Sequence, residues 1–278
     1  MHKYLQKTIV KFLMLSQILF LSTLFFSGCT TKKIEVDPDD REKIHSFLNQ
    51  LLFVNSSVYT LFGEKPISDM VIFIGAEDEI VKLTDADMIE LTEEERKNMH
   101  PWDESLIDNW KIWKRYVDKI DSKNFIFNER LSIFSQSHLI YSIFNIKLVK
   151  EILCKYRKEF EKQTGGPFDS DKVISEYKDP ESPFWEKIYT DHYLSGLLYG
   201  FGEENITYFL NKIETQERRS DCSEEDNPFA TIDNLPIPIF AMSPQDKTCN
   251  KYREQRTKIQ SIYQNKDIVD VTLKRLME

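Results

Sequence analysis

The chain has 278 residues, with 37 Lys and Arg against 46 Asp and Glu, a net charge of −9 and a mean hydropathy of −0.45. At 41% apolar and 30% charged residues it is not a polytopic membrane protein, a collagen-like chain or a disordered chain. The acidic balance argues against nucleic acid, whose phosphates need a basic face. The 4 Trp, 12 Tyr and 19 Phe are ample for one sizeable core, and 4 Cys are too few for a disulfide scaffold.

The first eleven residues carry Lys3, Lys7 and Lys11 and no acid. An apolar run follows from Phe12 to Phe26, interrupted by Ser16, Gln17, Ser22 and Thr23. It is shorter than the ~20 residues a spanning helix needs. Small residues close it in Phe26-Ser27-Gly28-Cys29, before Thr30-Thr31-Lys32-Lys33. A basic start, an apolar stretch of this length and small residues at its end read as a secretory signal. With Cys29 at that point, the segment resembles the signal of a bacterial lipoprotein, in which the cysteine becomes the lipidated first residue. Gly28 and Ser27 fit that pattern, while Phe26 stands where an aliphatic residue is usual. A plain secretory signal and an uncleaved anchor are the alternatives.

The resemblance implies removal of residues 1–28, lipidation of Cys29 and a tether over 29–37. Loss of the three lysines moves the net charge from −9 to −12. Such a body is repelled by anionic headgroups, so acyl chains, at ~0.8 kcal/mol per buried CH2, must hold it. Eight residues from Thr30 to Asp37 reach at most about 28 Å. The expected partners are therefore a membrane, through the lipid, and an envelope protein, and the expected place is the cell envelope, facing away from the cytoplasm.

The globular body is expected over 38–278. Asp37-Pro38 reads as a helix start, and Ile44, Phe47, Leu48, Leu51 and Leu52 repeat at helical spacing. Gly63 and Pro66 mark a turn, and Met70 to Ile74 reads as a buried strand. The acidic stretch 76–100 reads as a solvated face with a short helix at Thr92-Glu93-Glu94-Glu95. A helix follows over about 103–120, with Leu106, Trp110, Trp113 and Val117 on one face. Phe125-Ile126-Phe127 and His138 to Phe144 read as strands, joined as a hairpin or through an extra strand. Asn145 caps a helix predicted to run to about Lys162 and to end at Gly165-Gly166-Pro167, and a short helix spans Asp169 to Tyr177.

Ser182-Pro183 starts a helix predicted to continue to Gly200-Phe201-Gly202. The helix led by Glu203-Glu204 then completes an αα-hairpin over 183–213. Residues 214–234 read as a polar loop and Ile237 to Phe240 as an edge strand or extended segment. The C-terminus reads as a helix through Tyr252, Ile259 and Ile262, a break near Asn265 and a last apolar set from Ile268 to Leu276. Strands are few and scattered among helices, so the expected fold class is α+β, helix-rich, in a single domain.

Two stretches carry a second likeness. Val58-Tyr59-Thr60-Leu61-Phe62-Gly63-Glu64-Lys65-Pro66 and His192-Tyr193-Leu194-Ser195-Gly196-Leu197-Leu198-Tyr199-Gly200-Phe201-Gly202-Glu203-Glu204-Asn205 are similar to an uncharacterised family of obligate intracellular bacteria. The resemblance covers about 55–215 and implies no activity and no catalytic residue.

Chemistry-bearing constellations are sparse. His45, His100, His138 and His192 are not at metal-ligand spacing, and no phosphate-cradling, zinc or nucleophile-elbow motif occurs. No metal, cofactor or catalytic residue is assigned. On one helix His192 and Ser195 share a face, but Asp191 at the preceding position cannot orient the imidazole. His192 and His138 therefore read as packing residues, and Cys154 as a buried, inert thiol. Cys222 and Cys249 lie in polar surroundings, and export implies an oxidising compartment. A bridge between them would close a loop worth about 3–4 kcal/mol in the chain-entropy model; two free thiols is the alternative. The expected function is a lipid-anchored, non-catalytic binding or scaffolding module. The alternative is an envelope hydrolase using His192 or His138 with nearby carboxylates.

Overall fold

A computed structural model describes residues 34–74, 104–132, 137–215, 230–238, 240, 243 and 247–278. Residues Val36–Glu278 cluster as one unit. Eleven α-helices and one three-stranded sheet make up the described residues, so the fold is α+β and helix-rich. Among them no helix is long and apolar enough to cross a membrane. Residues 1–33, 76–100 and most of 214–234 lie outside the described residues.

Helix α1 spans Pro38–Asn49, with Pro38 in its first turn and the Asp37 carboxylate accepting from the Asp39 amide. Such caps satisfy amides that have no partner inside the helix. The helix widens into a π-helical turn, Gln50–Val54, followed by α2, Val58–Leu61. Ile44, Phe47, Leu48, Leu51 and Leu52 are all fully buried, as their spacing predicts.

The sheet consists of β1 (Ile67–Phe73), β2 (Phe125–Leu131) and β3 (His138–Asn145), in the order β1-β3-β2 and antiparallel throughout. β2 and β3 thus pair as a hairpin. Period-two alternation gives the sheet two unlike faces. One carries Met70, Ile72, Phe127, Tyr141 and Ile143 and packs against α1 and α3 (Glu104–Val117). There the Trp113 indole N–H donates to the Tyr141 hydroxyl at 2.9 Å, and Phe47 stacks between both rings.

The opposite face carries Ile67 and Phe144. It packs against α4 (Ile146–Lys155), α5 (Arg157–Thr164), α6 (Ser170–Ser175) with its 3-10 extension Glu176–Lys178, α7 (Pro183–Thr190), α8 (His192–Leu198) and α9 (Glu203–Thr215). The sheet is thus a middle layer, with Trp185, Leu197 and Phe160 in the core beyond it. Helices α10 (Thr248–Tyr263) and α11 (Ile268–Met277) close the N-terminal side: Tyr252 and Tyr263 meet Tyr59 and Phe53 edge to face, and Arg275 donates to the Leu61 carbonyl. The break at Asn265 is a left-handed residue, φ 56°.

Several expectations change. The helix from Asn145 stops at Lys155, and α5 restarts after Tyr156, whose backbone leaves the helical region at φ −107°. Register shifts with it: Val149 and Leu153 are buried, whereas Cys154 is exposed rather than a core thiol. The helix from Ser182 breaks at Asp191, whose carboxylate accepts from the Tyr193 and Leu194 amides and so starts a new helix. The hairpin over 183–213 therefore has two helices in its first arm. Ile237 and Phe240 are buried with no strand pairing, because Pro236 and Pro238 cannot donate to a ladder. Cys249 is 4% exposed in the first turn of α10, so its surroundings are core rather than polar.

Candidate functional site

The hairpin and the buried segment near Phe240 enclose a cavity of about 310 Å³, within the range of small-ligand sites. Gly196 of α8 lets α9 come close: a Cβ there would meet Ile206 Cγ1 at 2.7 Å. Gly200, at φ 79°, turns the chain, and a Cβ there would meet Pro66 Cδ at 2.6 Å. Asn205 fixes the far wall. Its amide donates to the Phe201 carbonyl at 2.8 Å, and its side-chain oxygen accepts from the Ser243 amide at 2.8 Å. Ser243 also donates to Glu204 at 2.6 Å, which straps the Phe240 segment onto the start of α9.

The cavity walls are mostly aromatic: Tyr199, Phe201, Phe209 and Phe240, with Ile206 beside them. Tyr199 and Phe201 stack at 5.8 Å, and Phe201 and Phe240 at 5.5 Å, each pair within 15° of parallel. His192, Ser195 and Asn205 supply the polar groups. His192 is exposed, and no carboxylate or hydroxyl among the described residues is hydrogen-bonded to it. The carboxylate beside it in sequence, Asp191, is taken up capping α8. A base needs an orienting partner and a nucleophile within hydrogen-bond reach, and His192 has neither. His138 sits half-buried on β3 with its ring edge-on to Phe73 at 5.4 Å. No group of three or more His, Cys, Asp or Glu among the described residues could hold a metal ion.

Behind the Tyr199 ring lies a second constellation. The Tyr199 hydroxyl donates to Asp69 Oδ2 on β1. Arg130 Nη2 on β2 lies 3.5 Å from the same oxygen, and its guanidinium covers the Tyr189 ring at 3.9 Å from the centroid. Burial raises the Tyr177 and Tyr199 phenols well above their usual range, and the Asp69 charge adds to the effect. Burial lowers the Lys65 ammonium to about 8, with Asp69 opposing the change.

Cys154 is free and Cys249 is disulfide-bonded. Cys29 and Cys222 lie outside the described residues, as does His100. Sequence reasoning found His192 and Ser195 but missed the aromatic walls, because Phe209 and Phe240 sit far apart in sequence. It also missed Asp69 and Arg130. The available signal was charge inside strands, since a carboxylate at an inward position of a β run must find a cation or donors.

No family model matches this chain, and no curated protein or solved structure is similar to it.

Proposed function

We propose that the mature protein is a lipid-anchored envelope protein, held by acyl chains on Cys29, and that its body is a non-catalytic binding module. The observation that supports a binding role is the aromatic cavity between α8, α9 and Phe240, which offers apolar walls and few polar groups. Stacked rings bury much area at little entropic cost, so the fitting occupant is an apolar or aromatic small molecule, or an apolar side chain of an envelope partner. A lipid on Cys29 leaves Cys222 as the partner for the disulfide of Cys249, which would tie the 214–234 loop to α10.

The hydrolase reading keeps one supporting observation, that His192 and Ser195 line the same cavity. The Asp191 cap weighs against it, because that carboxylate is not free to orient an imidazole.

The test has two arms. Metabolic palmitate labelling should mark the wild-type chain and not Cys29→Ala, and the variant should leave the detergent phase; an unlabelled wild type ends the anchor proposal. Ser195→Phe should fill the cavity and abolish capture of an apolar fluorescent dye by the solubilised protein. Unchanged dye binding removes the cavity as the site.

A further inference from the structure

The sheet face that meets α7 and α8 holds a polar cluster with atoms left over. Asp69 on β1 sits opposite Ser142 on β3, and Arg130 lies two residues along β2 from the position facing Ser142. Tyr177, Tyr189 and Tyr199 come down on them from three successive helical elements. One oxygen of Asp69 is used, by Tyr199 and Arg130. Asp69 Oδ1, Arg130 Nε, Ser142 Oγ and Tyr189 Oη are all buried, and none has a hydrogen-bond partner. They are close neighbours: Tyr177 feels the Ser142 hydroxyl, and Tyr189 feels both Tyr177 and Arg130. The four atoms therefore surround a common place without pairing across it. Leaving a buried polar group unpaired costs about 1–3 kcal/mol, and such groups in a folded protein call for a partner.

The atoms form a pattern. Asp69 Oδ1 only accepts and carries negative charge, Arg130 Nε only donates and carries positive charge, and the two hydroxyls do either. We propose that this cluster binds a small zwitterion of the α-amino-acid class. Its ammonium donates to Asp69 Oδ1. Its carboxylate accepts from Arg130 Nε and from the Ser142 and Tyr189 hydroxyls. A simple anion would face the spare oxygen of Asp69, and a simple cation would face Arg130, so either adds an uncompensated buried charge. A zwitterion adds none and satisfies all four atoms. The Asp69 and Arg130 side chains remain 19% and 17% exposed, which puts the entry at the Arg130 end. The tight surroundings select small side chains. This site is separate from the aromatic cavity, with which it shares only Tyr199.

The test uses the full chain in detergent. Glycine, alanine and serine are titrated at millimolar concentration and binding is read by calorimetry and by the shift in Tm, with acetate and methylamine as half-ligands. The expected result is heat and a Tm increase with the amino acids and neither with the half-ligands. Tyr189→Phe and Ser142→Ala, which keep the packing, should each weaken binding several-fold; Asp69→Asn should weaken it about tenfold or more, as loss of a charged hydrogen bond does. No response to any of the three amino acids overturns the proposal. So does acetate binding as well as glycine, or affinity unchanged in both Tyr189→Phe and Ser142→Ala. Dye binding in the aromatic cavity should be the same in all these variants, so either site can fail while the other stands.

Discussion

The two faces of the three-stranded sheet solve the same burial problem in opposite ways. Toward α1 and α3, the Tyr141 hydroxyl meets the Trp113 indole N–H at 2.9 Å, and Phe47 and Phe127 pack their rings around the pair. The polar atoms of that pair are matched and everything else is apolar. Toward α7 and α8, an aspartate, an arginine, a serine and three tyrosines are brought together, and four of their polar atoms stay unmatched. Buried polar networks that are only partly satisfied lower stability compared with an apolar core of the same shape. A fold that can build the first face could build the second the same way, so the cost on the second face points to a use beyond stability.

The largest effect should come from the matched face. Trp113 is fully buried and stacks on Phe47. Trp113→Ala removes an aromatic core side chain and should cost about 3–5 kcal/mol in urea unfolding. A cost below about 1 kcal/mol would mean that this face is not the stabilising one.

Lys65 should give the next largest effect, with the opposite sign. Burial lowers its ammonium from 10.5 to about 8. Between those values the unfolded chain holds a proton that the folded chain has released, so stability should rise with pH from about 8 upward. Below pH 8 the penalty is present in full, about 3 kcal/mol for a shift of this size. Above pH 10 the buried tyrosines, whose phenols are raised, pull the other way, so the window to read is pH 8–10. Lys65→Met should be more stable than wild type at pH 7 and should flatten the rise. A wild-type profile without that rise would place Lys65 in contact with water.

How much of this contrast was legible in the sequence follows from the range of each signal. The matched core was largely visible: Ile44 to Leu52 and the Trp113 face follow helical spacing, and each residue can be placed from its neighbours alone. Helix breaks were not, because Asp191 and Tyr156 interrupt apolar patterns that continue across them. At Asp191 a capping carboxylate wins locally over periodicity. At Tyr156 the restart carries no side-chain cap at all, and nothing in the local sequence marks it. The polar cluster was invisible for a different reason. Asp69, Arg130 and Tyr199 are separated by 61 and 69 positions in the sequence, and only strand register and the packing of α8 on the sheet bring them together. His192 and Ser195 were legible as a pair but not as the rim of an aromatic cavity, since Phe240 reaches them from another part of the chain.

The smallest effects sharpen the comparison most, because one chemical change can be made on both faces. Tyr141→Phe removes the hydroxyl that accepts from Trp113 and leaves a buried indole N–H with no acceptor. That loss should cost about 1–3 kcal/mol. Tyr189→Phe removes a hydroxyl that has no hydrogen-bond partner and keeps the ring beneath Arg130. With nothing broken and one buried polar atom gone, its stability should stay within about 0.5 kcal/mol of wild type or rise. Paired urea titrations of the two variants give the difference directly, without reference to the absolute stability of the protein. If Tyr189→Phe costs as much as Tyr141→Phe, its hydroxyl is already satisfied, and the two faces of the sheet are alike in the respect that matters for a ligand. If the two differ as expected, the Tyr189 hydroxyl stands ready for a partner that the chain itself does not supply.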